Sequence, residues 1–206
     1  MKKFLSLLMI LPLGACSMFG HNAGVKEPPY KLLQQEKPFE VREYPSIVMA
    51  TTMSEGGFGN SQNDSFQRLF GYISGKNEAR TEITMTAPVL MKPEPVEIPM
   101  TAPVLMQNQG QGWSMSFVLP VEYRLDNAPK PLDSKVYLEE KKNVKFAVVK
   151  FSGLFSESNF KQNMQKLEEW MKKQNLTANG PALRAGYNPP WTIPALKRNE
   201  ILVPVK

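Results

Sequence analysis

The heptapeptide Met-Thr-Ala-Pro-Val-Leu-Met occurs twice, at residues 85–91 and 100–106, each copy with an isoleucine two residues ahead (Ile83 and Ile98). A direct repeat limits the architectures open to a chain, but two copies are too few for a solenoid, which needs about three or more. The Pro-rich connector 92–97 implies two extended segments joined by a turn, and their β-branched and apolar residues suit strands. Pro88, Pro99 and Pro103 confine these segments to edges or bends of a sheet, because proline donates nothing to a strand ladder. The repeat reads either as a duplicated hairpin that only extends a sheet or as a family signature. The rest of the chain has to decide.

The N-terminus reads as a targeting segment. Lys2 and Lys3 precede a short apolar stretch, 4–13, interrupted by Ser6 and Pro12. That stretch is too short to cross a bilayer as a helix. Leu13-Gly14-Ala15-Cys16 then has the form of a lipoprotein cleavage box. A plain secretory signal cut near Ala15 is the alternative, but the one cysteine of the chain stands where a bacterial lipobox needs it. Residues 1–15 are therefore expected to be a lipoprotein signal peptide. Residues 16–29 would be the lipidated Cys16 and a flexible tether, and 30–206 one folded domain.

More than one acyl chain on Cys16 suffices for stable anchoring. Ser17 in place of Asp resembles the bacterial sorting pattern for the outer membrane. The expected location is the bacterial cell envelope, lipid-anchored in the outer membrane and facing the periplasm. No second cysteine exists for a disulfide, so stability must come from the core. The formal charge of +6 falls to +4 once Lys2 and Lys3 leave with the signal, and no Lys/Arg run accompanies it. Charge of that size and spread does not point to nucleic acid as a partner.

Two helices stand out by periodicity. The first spans about 61–74, capped by Asn60 or Ser61, with Phe66, Leu69, Phe70 and Ile73 on one face and Gly75 placed for a left-handed end. The second spans about 157–174, capped by Ser156, with Phe160, Met164, Leu167 and Met171 as its buried stripe. Strands are expected at 30–35, 39–44, 47–53, 82–90, 98–105, 113–119, 135–140, 144–152, 182–187 and 200–205. Val144, Phe146 and Val148 alternate with Lys145, Ala147 and Val149, the pattern of a half-exposed strand.

Strand, helix and strand recur in order at 47–90 and again at 144–187. The fold class is therefore α+β: a distorted antiparallel β-barrel or curved sheet with two flanking helices, built as a pseudo-twofold repeat of two halves. Such a plan leaves a cleft between helix and sheet in each half, where ligands commonly sit.

Much chemistry is excluded. His21 is the only histidine and lies in the tether, so a His-based general base, a catalytic triad or a His-rich zinc site is absent from the domain. Gly56-Gly57-Phe58-Gly59 lacks the Lys-Ser/Thr of a phosphate loop and reads as a plain loop. The scattered carboxylates form no pair whose spacing compels acid–base work. What the chain offers instead is apolar surface, with 12 Met, 11 Phe, 6 Tyr and 3 Trp, suited to a core or to a flat apolar ligand. Arg68, Lys197 and Arg198 are the cations best placed at the rim of such a pocket. No catalytic residue and no metal ligand is assigned.

The paired Ile-x-Met-Thr-Ala-Pro-Val motifs resemble the signature of the SOUL heme-binding family. The stretches 39–44 and 113–120, the Pro129-Lys130-Pro131 turn and the close Gly186-Tyr187-Asn188-Pro189-Pro190-Trp191 with Arg198-Asn199-Glu200 match in order. The resemblance implies binding of heme or another tetrapyrrole, in some members through an apolar groove beside the first helix. Carried over by position, it points to Phe66, Arg68, Leu69 and Tyr72, and more loosely to Lys197 and Arg198. Some members are assigned an axial histidine, which this domain lacks; the iron would be unligated by protein or held by Met or Tyr.

The expected function is a non-catalytic, lipid-anchored tetrapyrrole binder of the envelope, for storage, buffering or transfer. A general sensor or carrier of small apolar ligands is the alternative, since the two-half plan also resembles the gyrase-inhibitor-like fold. An envelope scaffold meeting a protein partner is another, and a heme-degrading enzyme a more distant one.

Overall fold

In the computed structural model the described residues are 26–55, 62–78, 102–108, 112–189 and 191–206. The expected signal peptide, Cys16, the first heptapeptide copy, the expected strand 82–90 and both candidate caps of the first helix lie outside them. The elements are β1 (Lys31–Glu36), β2 (Phe39–Glu55), α1 (Gln62–Ile73), β3 (Asn77–Glu78), β4 (Val104–Asn108) and β5 (Gly112–Val118). They continue with β6 (Lys130–Pro131), β7 (Val136–Phe151), α2 (Glu157–Lys173), β8 (Leu183–Gly186) and β9 (Asn199–Val205).

Six strands close into an antiparallel barrel in the order β2-β5-β4-β8-β9-β7, with β7 pairing back onto β2, and β1 lies outside on β2. This order reads the same from both ends when β2 is exchanged with β7, β5 with β9 and β4 with β8. Each half is then a long strand, a helix and two short strands: β2-α1-β4-β5 and β7-α2-β8-β9. The expected pseudo-twofold α+β barrel is the fold. Its seam is the β4–β8 pair, running from Val104↔Gly186 to Gln107↔Leu183.

The long strands correct the sequence reading. The expected strands 39–44 and 47–53 are one strand, and so are 135–140 and 144–152. They stay paired from Phe39↔Val149 to Thr52↔Val136. Pro45 is tolerated because β1 has ended its pairing at Glu43 and β5 begins only at Met49, so among the described residues no strand pairs with that edge of β2 there. Alternation slips at this point. Tyr44 and Ile47, three residues apart, both face the barrel interior, and across the ladder Val144 faces it while Leu138 packs outside. Asn143, opposite Pro45, has φ 50°, a left-handed conformation in which Asn is among the more tolerant residues.

That slip lets one ribbon serve two helices. Below it, Val48, Ala50, Val136 and Leu138 turn outward under α1. Above it, Val41, Ala147 and Val149 turn outward under α2, while Phe146 and Val148 fill the barrel. The stretch expected to be half-exposed is thus buried on both faces, with Phe146, Ala147, Val148 and Val149 all buried. Parity alone could not show this, because the second face is covered by a helix from later in the chain.

Both helices match their expected spans. Ser156 caps α2, its hydroxyl accepting from the Asn159 N–H at 3.4 Å. Gly75, at φ 97°, follows α1 in the left-handed conformation that a side chain would strain. Leu167 and Met171 are buried beneath α2 as expected, and Trp170 joins them, stacked on Phe39 with ring centroids 5.1 Å apart. Lys26 and Glu27, within the expected tether, are bonded to the domain. The Lys26 carbonyl accepts from Ala102 N–H at 3.1 Å, and Glu27 pairs with Arg198 at 2.7 Å.

Candidate functional site

Helix α1 presents three different surfaces. Leu69 and Tyr72 are fully buried between helix and barrel, and the Tyr72 hydroxyl donates to the Pro129 carbonyl at 2.9 Å. Burial raises the Tyr72 phenol above its ordinary value, so it stays a neutral donor. Ser65 and Ser54 bond through their hydroxyls under the same face. These residues hold the helix down.

Phe66 and Phe70 form the second surface. Their rings lie nearly parallel at 11° with centroids 6.0 Å apart, and Phe66 meets Phe117 edge-on at 5.3 Å. Phe117 pairs with Val104 on β4, and Gln62, one turn before Phe66, reaches Met106 Sδ on β4 at 3.6 Å. This edge of α1 therefore borders the seam between the two halves. Phe70, expected in the buried stripe, is 43% exposed. The reason is angular: Ser65, Leu69, Tyr72 and Ile73 centre the buried face, and Phe70, about 115° from that centre, reaches only the rim.

Arg68 defines the third surface. It is half-buried and sits about 200° round the helix from Phe66, at two residues of about 100° each. The structure thus separates the four α1 residues by role and does not gather them into one groove.

Across the seam, Arg184 of β8 is the cation that sequence reasoning missed. Its guanidinium lies 3.7 Å from the Phe160 ring centroid and 4.6 Å from that of Trp113, and donates twice to Glu157 at 2.7 and 3.0 Å. The Arg184 side chain is only 6% exposed. The hydrogen bonds from Arg184 hold the Glu157 carboxyl below its ordinary value. The seam is therefore a strip with an aromatic pair on α1, a stacked cation on its floor and the first turn of α2 as its far wall. The signal in the sequence was an Arg inside an apolar strand, which needs a partner to be buried.

Lys197 and Arg198 follow the short 3-10 turn Pro194–Leu196. Lys197 is half-buried, its N–H donating to the Pro194 carbonyl at 3.1 Å. Arg198 is committed elsewhere: it donates to Glu200 at 2.8 and 3.0 Å and to Glu27 at 2.7 Å, and stacks over Tyr187 at 3.9 Å. It belongs to a network that plugs one end of the barrel.

In that network Arg42 donates to Glu200 at 2.7 and 2.9 Å and to Glu40 at 2.7 Å, and Tyr187 donates to Glu200 at 2.7 Å. Burial alone would raise both carboxyls. The hydrogen bonds of Arg42, together with Arg198 and Tyr187, keep Glu200 below its ordinary value, and those of Lys150, Arg42 and Gln35 hold Glu40 at about 2. Burial pushes the Tyr44 phenol up to about 12. Donors and acceptors are matched throughout, which reads as structural closure of the barrel.

Two enclosed cavities among the described residues are small. One in the barrel interior, lined by Tyr44, Met49, Phe146 and Leu202, holds about 20 Å³, and one behind the α2 N-terminus, lined by Phe155, Phe160 and Arg184, about 10 Å³. Each has room for about one water. A shallow open depression of about 360 Å³ lies on the β1 side, between Tyr30, Glu43 and Pro45. Among the described residues no group of three or more His, Cys, Asp or Glu side chains could hold a metal ion, and no helix is long and apolar enough to cross a membrane.

Comparison with known proteins places these features in context. The profile of the family described as "SOUL heme-binding protein" matches residues 25–204. Heme-binding protein 1 of Xenopus tropicalis is 28% identical over 190 residues, covering 90% of this chain and 93% of that protein. Heme-binding protein 2 of Homo sapiens is 27% identical over 181 residues, covering 85% and 83%. Among solved structures, a protein of Listeria innocua described as a hydrolase superposes with a TM-score of 0.56 at 12% identity, over 84% of this chain and 94% of its own. The EcmrR C-terminal domain does so with a TM-score of 0.53 at 9% identity, over 86% and 98%. At such identities these two likenesses concern the fold alone.

Proposed function

The chain belongs to the SOUL heme-binding protein family, and from that premise we propose that it binds heme or another tetrapyrrole as cargo, without catalysis, while anchored by lipid to the bacterial cell envelope. The observation that carries this reading is the Phe66–Phe70 pair. It offers a half-exposed aromatic wall beside the first helix in a chain whose relatives are named for heme binding. A flat macrocycle gains most from stacking on such rings, by about 0.5–1.5 kcal/mol per aromatic contact beyond the area it buries.

The two enclosed cavities lined by described residues are far too small for a tetrapyrrole, and the ligand is placed in the seam, against Phe66 and Phe70. Leu69 and Tyr72 back this wall from the core. Arg68, on the other edge of α1, would reach a carboxylate only at the ligand's margin. Arg198 would have to leave Glu200 or Glu27 to do so. With its one histidine at position 21, the chain is read as gripping the ring system, and the iron as needing no imidazole.

Lipid anchoring at Cys16, with 1–15 as signal peptide and 30–206 as the binding domain, supports storage, buffering or transfer at the envelope. An absorbance titration with hemin, and in parallel with protoporphyrin IX, tests the reading. Saturation by both at one equivalent, weakened by Phe70→Ser, supports it; saturation by hemin alone would move attention to Met and Tyr as iron ligands. The absence of saturable binding to either would sink it. A general carrier of apolar ligands is the second reading, favoured by the lack of a histidine in the described domain. Equal affinity for unrelated flat hydrophobes would select it.

A further inference from the structure

The loop between β8 and β9 exposes an unusual set of side chains. Trp191 is 64% exposed, and Ile193 and Leu196 are exposed within five residues of it. Leu154, 58% exposed, joins them through the loop after β7, where the Gly153 N–H donates to the Pro194 carbonyl at 2.8 Å. These side chains are presented on a built platform. Thr192 is buried and its N–H donates to Pro189, Leu196 donates to Ile193, and Arg198 at the end of the loop is fixed by Glu200 and Glu27. Four large apolar residues held outward on one loop cluster exceed what scattered surface exposure explains, and such patches mark interaction surfaces.

The position of the chain's N-terminal segment says what that surface meets. The described chain begins at Lys26, whose carbonyl is bonded to Ala102, and Glu27 pairs with Arg198 of the same loop. The described chain therefore starts against the end of the loop that carries Trp191, Ile193 and Leu196. Lys26 lies ten residue steps after Cys16, a span of at most about 35 Å when fully extended.

The geometry points to this loop as a membrane-docking face that seats Trp191, Ile193, Leu196 and Leu154 in the headgroup–acyl boundary of the bilayer holding the anchor. The inference rests on the lipid-anchor reading above. Tryptophan favours that boundary because its ring is apolar and its N–H remains able to meet water or headgroups. Docking would fix the orientation of the domain and keep the rim of α1 at a set height above the lipid.

The three tryptophans make the test direct. Trp113 and Trp170 are 8% and 4% exposed, so emission that responds to an external quencher comes from Trp191. The full chain, extracted in detergent, is reconstituted into vesicles of phosphatidylethanolamine and phosphatidylglycerol carrying brominated acyl chains, without heme. The mass of its N-terminal peptide is read in parallel. The expected result is an acylated Cys16, quenching of Trp191 by the brominated lipid and protection of Trp191 from aqueous iodide. Both effects should vanish in Trp191→Phe, and Ile193→Ser with Leu196→Ser should weaken the lipid quenching severalfold.

An acylated chain whose Trp191 stays open to iodide overturns docking and leaves the anchor standing. An acylated chain protected from iodide but untouched by brominated lipid, and cross-linking to itself or another protein, assigns the face to that partner and overturns membrane docking. A chain that lacks the acyl group yet binds vesicles with Trp191 quenched keeps docking and removes the anchor. Lack of both acylation and vesicle binding removes both.

Discussion

Arg42 and Glu200, 158 positions apart in the chain, meet as a two-pronged ion pair at 2.7 and 2.9 Å with both side chains sealed from solvent. Arg42 comes from the first half of the pseudo-symmetric barrel and Glu200 from the second, so the pair ties the halves at one barrel end. Five hydrogen bonds converge on the Glu200 carboxylate, from Arg42, Arg198 and Tyr187. Buried charge is tolerated only when matched in this way.

Removing one partner should therefore be expensive. Glu200→Gln keeps the shape but leaves the buried Arg42 with Glu40 as its one remaining counter-charge in the network, and should lower stability by about 3–5 kcal/mol. Urea denaturation reads this directly. A loss below about 1 kcal/mol, the scale of an exposed ion pair, would mean that the pair is solvated in solution.

Acid should act through Glu40. Its carboxyl is held at about 2 against an ordinary 4.5, so the stability it contributes is complete above about pH 4.5 and disappears as pH falls through about 2. A shift of that size corresponds to at most about 3 kcal/mol, less whatever the half-exposed Lys150 loses to solvent screening. Thermal melts between pH 5 and 2 should show this slope, and Glu40→Gln should flatten it.

Two residues of α1 should separate stability from binding. Leu69→Ala empties a fully buried position and should cost about 2–5 kcal/mol of stability. Phe70→Ser, at the exposed rim, should change stability by less than about 1 kcal/mol while weakening hemin about tenfold, the value of one lost stacking contact. Equal effects on binding from both would argue against the rim as the ligand wall.

Tyr72→Phe removes only the hydroxyl that donates to the Pro129 carbonyl. Stability should fall by about 1 kcal/mol, with hemin affinity unchanged. A lost affinity would show that Tyr72 reaches the ligand and is not confined to the core.

Much of this was legible before any tertiary contact was known, and particular residues show why. The spans of α1 and α2, the cap at Ser156 and the left-handed Gly75 depend on neighbours within four or five positions. Phe70 was misjudged because its spacing from Phe66 placed it on the apolar stripe, while the barrel covers a face centred on Ser65, Leu69, Tyr72 and Ile73 and leaves Phe70 at the rim. Arg184 was overlooked because its partners, Glu157, Phe160 and Trp113, are distant in sequence. Arg198 read as a free rim cation because Glu27 was assigned to a loose tether.

The sequence by itself determined the local elements, the two-half plan and the family, since capping, periodicity and motif identity are encoded by residues close together in the chain. Tertiary structure decided which faces are buried and which charges are spoken for. A ribbon whose alternation slips at Pro45 serves a different helix on each side of the slip. A buried guanidinium becomes tolerable only when a carboxylate from the other half arrives to meet it. Both are long-range facts, because burial and charge compensation depend on what the fold brings alongside a residue.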